Sequence, residues 1–286
     1  MLSSKVSEIM TTQVTSAPAS ATVRTVMETM VAEDVGRVII HDNDRPVGIF
    51  TERHVLKQVA NRNLESKTLA VAGVMTSPIR GVGHGADIVE ALAEMLRGKI
   101  RHLQVYGDSG EVIGIVSMRR ILAIAVELGQ GLSEHQTIGS ILSHGALAID
   151  ESAPVADAID LMIQKDASAV VVTAASKPVG IFTERDVLTR VVDREIDCKR
   201  VAVKNVMTSP LATMPTTALV GEVLAEMYRR DIRNMPVVGE GGELSGLVSM
   251  ADVLQYARAF NIEESVRKTW REIQNFYDSE DQYTPG

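Results

Sequence analysis

The sequence predicts an α/β protein made from one β-α-β-β-α unit repeated four times, and three observations carry that prediction. The run Val47-Gly48-Ile49-Phe50-Thr51-Glu52-Arg53 recurs unchanged in the second half as Val179-Gly180-Ile181-Phe182-Thr183-Glu184-Arg185. The same offset maps Val74-Met75-Thr76-Ser77-Pro78 onto Val206-Met207-Thr208-Ser209-Pro210, Leu92-Ala93-Glu94-Met95 onto Leu224-Ala225-Glu226-Met227, and Ile100-Arg101 onto Ile232-Arg233. The two halves therefore align without a net insertion. Each half is itself double: Gly48 stands as far from Gly114 as Gly180 does from Gly246, and Thr51, Ser117, Thr183 and Ser249 follow these glycines at equal spacing. Self-similarity at a fixed period is the mark of stacked supersecondary units, none of which buries its apolar face alone.

Each unit opens on an extended lead-in that ends in an apolar pair, such as Ile9-Met10 or Val206-Met207. An amphipathic helix follows. Val155, Ala158, Ile159, Met162 and Ile163 fall at i, i+3, i+4, i+7 and i+8, and Val23, Val26, Met27, Met30 and Val31 repeat that stripe, as do Val220, Val223, Leu224, Met227 and Tyr228. Two short β-branched runs come next, for example Val170-Val171-Val172 and Val179-Gly180-Ile181-Phe182, split by a polar turn as in a strand pair. A second helix closes the unit, as in Asp186-Val187-Leu188-Thr189-Arg190-Val191-Val192. Strands this continuously apolar are covered on both faces, so the units are expected to pair sheet against sheet. The expected divisions are residues 1–60, 61–130, 131–195 and 196–260, with a tail at 261–286.

Composition narrows the function. The chain has 286 residues, 45% of them hydrophobic and 23% charged, with a formal net charge of −8. An acidic protein without a Lys/Arg-rich run repels nucleic acid and anionic lipid, so neither is an expected partner. No run approaches the ~18 apolar residues that a membrane span needs. The one cysteine, Cys198, has no partner for a disulfide and no metal-ligand company, which fits a reducing compartment. The segment Met1-Leu2-Ser3-Ser4-Lys5 has no apolar signal core, and a cytoplasmic setting is expected.

The order of elements, the Ile-Met lead-in and the Gly-h-h-Thr/Ser-x-x-Asp turn (h, hydrophobic) resemble the cystathionine-β-synthase (CBS) domain, four times over from about residue 5 to about residue 260. The resemblance implies two pseudo-twofold pairs of repeats, called Bateman modules, stacked as a flat disk. In organisation this is similar to the γ subunit of AMP-activated protein kinase. It further implies a ligand with an adenosyl group, such as AMP, ADP, ATP or S-adenosylmethionine, held in a cleft between paired repeats.

The four turns are Thr51-Glu52-Arg53-His54, Ser117-Met118-Arg119-Arg120, Thr183-Glu184-Arg185-Asp186 and Ser249-Met250-Ala251-Asp252. Two readings apply. A hydroxyl followed three residues later by an acid is a helix capping box, worth about 1 kcal/mol. The same geometry suits a nucleotide, because free N–H groups at a helix start attract phosphate and a carboxylate accepts from both ribose hydroxyls. Neutral His offers one acceptor and Arg none, so the carboxylate grip is expected only at Asp186 and Asp252. The N-terminal module, with His54 and Arg120, is expected to be its structural counterpart. By resemblance, the Asp252 site also includes Gly145, Leu147, Ser168, Leu247 and Ser249, with Arg233 and Asn234 toward the phosphates. The Asp186 site includes Pro210, Ala212, Ile181 and Thr183, with Lys165 as a further phosphate contact. Leu147 and Leu247 also read as plain core, and Arg233 as a solvated arginine.

The remaining features read as structural. Thirteen methionines fall mostly on helix stripes or in the lead-in pairs, as core filler. His135 and His144 have no ligand company, and no metal or cofactor is expected. No phosphate-binding glycine loop or catalytic motif is present, and the repeats leave no room for a separate catalytic domain, so the chain is not expected to be an enzyme. In the tail, Ile262, Val266, Trp270, Ile273 and Tyr277 fall at helical spacing. That helix either packs back on its own module or makes a homodimer or partner-protein contact. Two functions follow: a ligand sensor that signals to a partner protein, or a ligand-free interaction scaffold.

Overall fold

The computed structural model describes residues 5–43, 45–60, 66–98, 100–121, 136–142, 146–250 and 252–253. Gly145, His135, His144 and the tail residues Ile262, Val266, Trp270, Ile273 and Tyr277 lie outside the described residues. The strands form four three-stranded sheets: β1 (Ser16–Pro18), β2 (Arg37–Asp42), β3 (Arg45–Thr51); β4 (Gly81–Gly83), β5 (His102–Tyr106), β6 (Val112–Ser117); β7 (Ala148–Asp150), β8 (Ala169–Ala174), β9 (Lys177–Thr183); and β10 (Met214–Pro215), β11 (Asn234–Val238), β12 (Leu244–Ser249). In each sheet the first strand runs parallel to the second, and the second antiparallel to the third. A parallel pair needs a crossover. It is supplied by α1 (Val23–Ala32), α2 (Ile88–Gly98), α3 (Val155–Gln164) and α4 (Val220–Arg229). The β-α-β-β order expected from the repeat is therefore present four times.

The helix stripes face inward as their periodicity requires. Val155, Ala158, Ile159 and Met162 are buried, as are Val220, Val223, Leu224 and Met227. The closing helices of the first and third repeats start with one α turn (Glu52–His54, Glu184–Asp186) and continue with wider π-type turns (Val55–Ala60, Val187–Val192).

Each lead-in packs on the other repeat of its module. Thr11 bridges to Ile115, Thr76 to Ile49 and Thr208 to Ile181. This explains both the Met of the lead-in and the Gly of the third strand. Met75 lies over Gly48, Met10 over Gly114, Met207 over Gly180 and Leu142 over Gly246, so close that a Cβ on any of these glycines would collide; at Gly114 it would stand 2.7 Å from Met10 Sδ. Glycine is needed there for a close approach.

The apolar interior forms two clusters that cut across the modules. One joins the first and third repeats, including Phe50, Leu56, Phe182 and Leu188; the other joins the second and fourth, including Met95, Leu103, Leu224 and Met235. Within a module the repeats meet through the lead-ins and through side chains of their second strands, such as Arg37 and His102, and between modules they pack through helices. Two paired halves docked on each other in this way agree with what the resemblance implied.

Candidate functional site

The four strand-to-helix turns share a backbone but carry four different chemistries. In the third repeat the carboxylate of Asp186 is fully engaged. Its Oδ2 accepts the Thr183 amide N–H (2.8 Å) and hydroxyl (2.7 Å), and its Oδ1 accepts the Thr208 hydroxyl (2.9 Å) and faces Arg190 Nη1 (3.2 Å). The residue is 3% exposed. Arg190 also donates to the carbonyls of Val206 and Met207, tying the lead-in of the fourth repeat to this turn.

In the fourth repeat Asp252 Oδ2 accepts the Ser249 amide N–H (2.8 Å) and hydroxyl (2.7 Å), while the Ser249 hydroxyl accepts the Asp252 N–H (3.2 Å). Its Oδ1 has no partner among the described residues, and the side chain is half-buried. The capping box expected from sequence is thus present at both acids, and among the described residues Asp252 Oδ1 has no partner like those of Asp186 Oδ1.

His54 stands where Asp186 stands and does half of its work. Its Nδ1 accepts the Thr51 N–H (3.0 Å) and lies 2.9 Å from the Thr51 hydroxyl, and its Nε2 lies 2.9 Å from Thr76 Oγ1. Accepting at Nδ1 places the ring proton on Nε2, which donates to Thr76. Burial first, then the neighbouring Arg53 and Lys57, pushes the imidazole down to about 4, so it stays neutral. It stacks on Phe50 with ring centroids 5.3 Å apart. A single acceptor therefore suffices for the cap; the expectation that set His54 aside concerned the carboxylate grip on a ligand. Arg120 is exposed, and its turn keeps only the Ser117 hydroxyl accepting the Arg120 N–H (3.2 Å).

Several residues expected beside Asp252 are brought together. Asn234 lies opposite Ser249 across β11 and β12, Leu247 lies opposite Pro236, and the Ser168 hydroxyl donates to Asn234 Oδ1 (3.3 Å). Leu147 is partly buried against the core shared by the first and third repeats, and its carbonyl accepts the Val171 N–H (2.8 Å). Beside Asp186, Thr183 caps the helix and Ile181 bridges to Thr208; Pro210 is exposed and Ala212 packs on the core of the even repeats. Lys165 is exposed at the end of α3.

Sequence reasoning missed a charged cluster between the modules. Glu52 and Glu184 are 2% and 4% exposed. Glu52 accepts Arg185 Nη1 (2.9 Å) and Arg233 Nη2 (3.0 Å); Glu184 accepts Arg53 Nη1 (3.1 Å) and faces Arg101 Nη2 (3.7 Å). Arg185 also pairs with Asp34, and Arg53 with Asp166. Burial outweighs the nearby arginines and pushes the Glu184 carboxyl up. Arg37 adds a further guanidinium, 3.1 Å from His102 Nε2, where the matching position in the other half is Ala169. Its Nε and both amide atoms of Gln104 are buried without a partner among the described residues. The signal in the sequence was the twice-repeated Thr-Glu-Arg, whose Glu and Arg face the opposite module.

Among the described residues no helix is long and apolar enough to cross a membrane, and no group of three or more His, Cys, Asp or Glu is placed to hold a metal ion.

The family profile of the CBS domain matches residues 6–61, 71–127, 138–193 and 203–259. An uncharacterized 33.4 kDa protein from a ribosomal RNA operon of Thermofilum pendens is 34% identical over 177 residues, which are 58% of this chain and 58% of that protein. A CBS domain-containing protein of Arabidopsis thaliana is 25% identical over 281 residues, 85% of this chain and 51% of the relative. The chain thus spans little more than half the length of these relatives. Among solved structures, a Methanocaldococcus jannaschii protein proposed as an archaeal homologue of γ-AMPK superposes with a TM-score of 0.75 at 18% identity, covering 88% of this chain and 99% of that one. An uncharacterized conserved protein from Pyrococcus horikoshii superposes with a TM-score of 0.59 at 20% identity, again over 88% and 99%.

Proposed function

The chain belongs to the CBS domain family, and from that premise we propose that it is a non-catalytic regulatory protein that senses an adenosyl ligand in its C-terminal module and signals to a partner protein. The ligand class is AMP, ADP, ATP or S-adenosylmethionine. One observation supports the reading: among the described residues Asp252 Oδ1 meets no partner, in a half-buried carboxylate, at the start of a helix and beside Asn234 and Ser168. A carboxylate so placed can accept from the ribose hydroxyls. Asp186 contributes less, because a ribose there would have to displace Thr208 or Arg190. The proposal includes a cytoplasmic setting and a homodimer.

A second reading, the ligand-free scaffold, draws on the same geometry. Capping alone accounts for Asp186, and the inter-module charge cluster holds the modules together without any ligand.

Thermal shift separates the two. A ligand at 100 times its Kd adds about 2.7 kcal/mol to stability. The wild type should shift with at least one of AMP, ADP, ATP and S-adenosylmethionine, Asp252→Ala should lose the shift, and Asp186→Ala should keep most of it. No shift with any of the four ligands would favour the scaffold. A shift that survives in Asp252→Ala would put the ligand elsewhere.

A further inference from the structure

Arg233 stands at the mouth of the Asp252 turn. Its carbonyl accepts the N–H of Met250 (3.1 Å), the residue after Ser249, and its neighbour Asn234 lies opposite Ser249. Yet its guanidinium is held by the other module, donating from Nη2 to Glu52 Oε2 at 3.0 Å. The two partners differ in freedom. The Glu52 side chain is 3% exposed, and Arg185 fixes its other oxygen at 2.9 Å. The backbone of Gly36 approaches so closely that a Cβ there would stand 3.2 Å from the carboxyl group. Arg233 is 41% exposed and can turn.

We propose that Glu52 determines the specificity of the Asp252 site by competing with the phosphate end of a ligand for Arg233. The inference rests on the adenosyl reading given above. A phosphate carries more charge than a carboxylate and offers three oxygens, so it can draw the guanidinium away. Glu52 then keeps only Arg185, a partner from the third repeat. The contact between the first and fourth repeats is lost while the contact between the first and third stays. Phosphate occupancy in the C-terminal module is thereby transmitted to the N-terminal one, whereas an adenosyl group without phosphate leaves the pair intact. Glu184 is the internal control. It makes the mirror-related contact to Arg101, which stands in the module that lacks the carboxylates.

Isothermal titration calorimetry with AMP, ATP and adenosine tests this on the wild type, Glu52→Gln, Glu52→Asp and Glu184→Gln. Glu52→Gln removes the charge at constant shape and should tighten AMP and ATP by about fivefold or more, leaving adenosine within twofold. Glu52→Asp keeps the charge but shortens its reach, so it should tighten them less. Glu184→Gln should change none of the three. Unchanged or weaker phosphate binding in Glu52→Gln, or equal tightening in Glu184→Gln, overturns the competition while leaving the adenosyl site standing. No binding of any of the three compounds by any of the four proteins overturns the adenosyl reading itself, and the competition with it.

Discussion

Lowering the pH from 7 to 5 should destabilise the protein by about 2 kcal/mol through His54 alone. The imidazole is held down to about 4 in the folded chain, against an ordinary value of 6.5. Its Nδ1 lone pair faces the Thr51 N–H, and a proton placed there would oppose a donor. At pH 5 the unfolded imidazole is therefore almost fully protonated and the folded one only about one-tenth so, a gap of about 2 kcal/mol; at pH 7 the gap is only about 0.2 kcal/mol. The sign follows from proton counting: the unfolded chain binds more protons between about 4 and 6.5, so stability falls as pH drops through that window and levels off below it. His102, also held well below its ordinary value, chiefly by burial, acts in the same direction and must be subtracted. His54→Asp provides the subtraction, because it supplies the carboxylate that Asp186 uses to meet the matching threonines and removes the imidazole. Urea unfolding of both proteins at pH 7 and pH 5 measures the difference. The wild type should lose about 2 kcal/mol more than the variant. Equal losses would refute the assigned tautomer and the neutral cap.

Two further outcomes follow from packing and charge. Gly180→Ala should lose about 1–3 kcal/mol in urea unfolding, because its Cβ meets Met207 Sδ, and the double variant with Met207→Ala should lose less than the two single losses summed. Glu184→Gln should leave stability within about 1 kcal/mol in the same assay, because the burial that pushes this carboxyl up offsets what Arg53 and Arg101 contribute, and the result should hold in 0.5 M NaCl because the side chain is only 4% exposed.

The fold was legible because most apolar positions repeat between the halves. The constant offset between the halves and the helix stripes are read directly from spacing, and the stripes are the buried faces of α1, α3 and α4. The exchange of lead-ins was only half legible. The apolar pair and the glycine were visible as recurring residues, but that Met207 lies over Gly180 depends on how two repeats meet, which no local period encodes. At the site, counting acceptors separated the carboxylates from His54 and Arg120 but did not foresee what each would meet. Asp186 is satisfied by Thr208 and Arg190, while Asp252 has no such second set among the described residues. Hydrogen-bond capacity is a property of a residue, and its satisfaction a property of its neighbours.

The charged cluster shows what duplication demands at a pseudo-twofold axis. A residue near such an axis lies close to its own copy, so Glu52 approaches Glu184 and adds a small push to the upward shift that burial gives its carboxyl. Two buried carboxylates cannot share that position unless each half also brings cations. The arginine beside each glutamate does this, since Arg53 reaches Glu184 and Arg185 reaches Glu52, both across the axis. The even repeats put Met118 and Met250 in place of the glutamates and provide Arg101 and Arg233, which reach the same carboxylates along the diagonals. Acid in the odd repeats and arginine in the even ones make the cluster self-complementary only when all four are docked. Neither module alone can satisfy it, so the charge pattern favours the complete four-repeat assembly over separated halves.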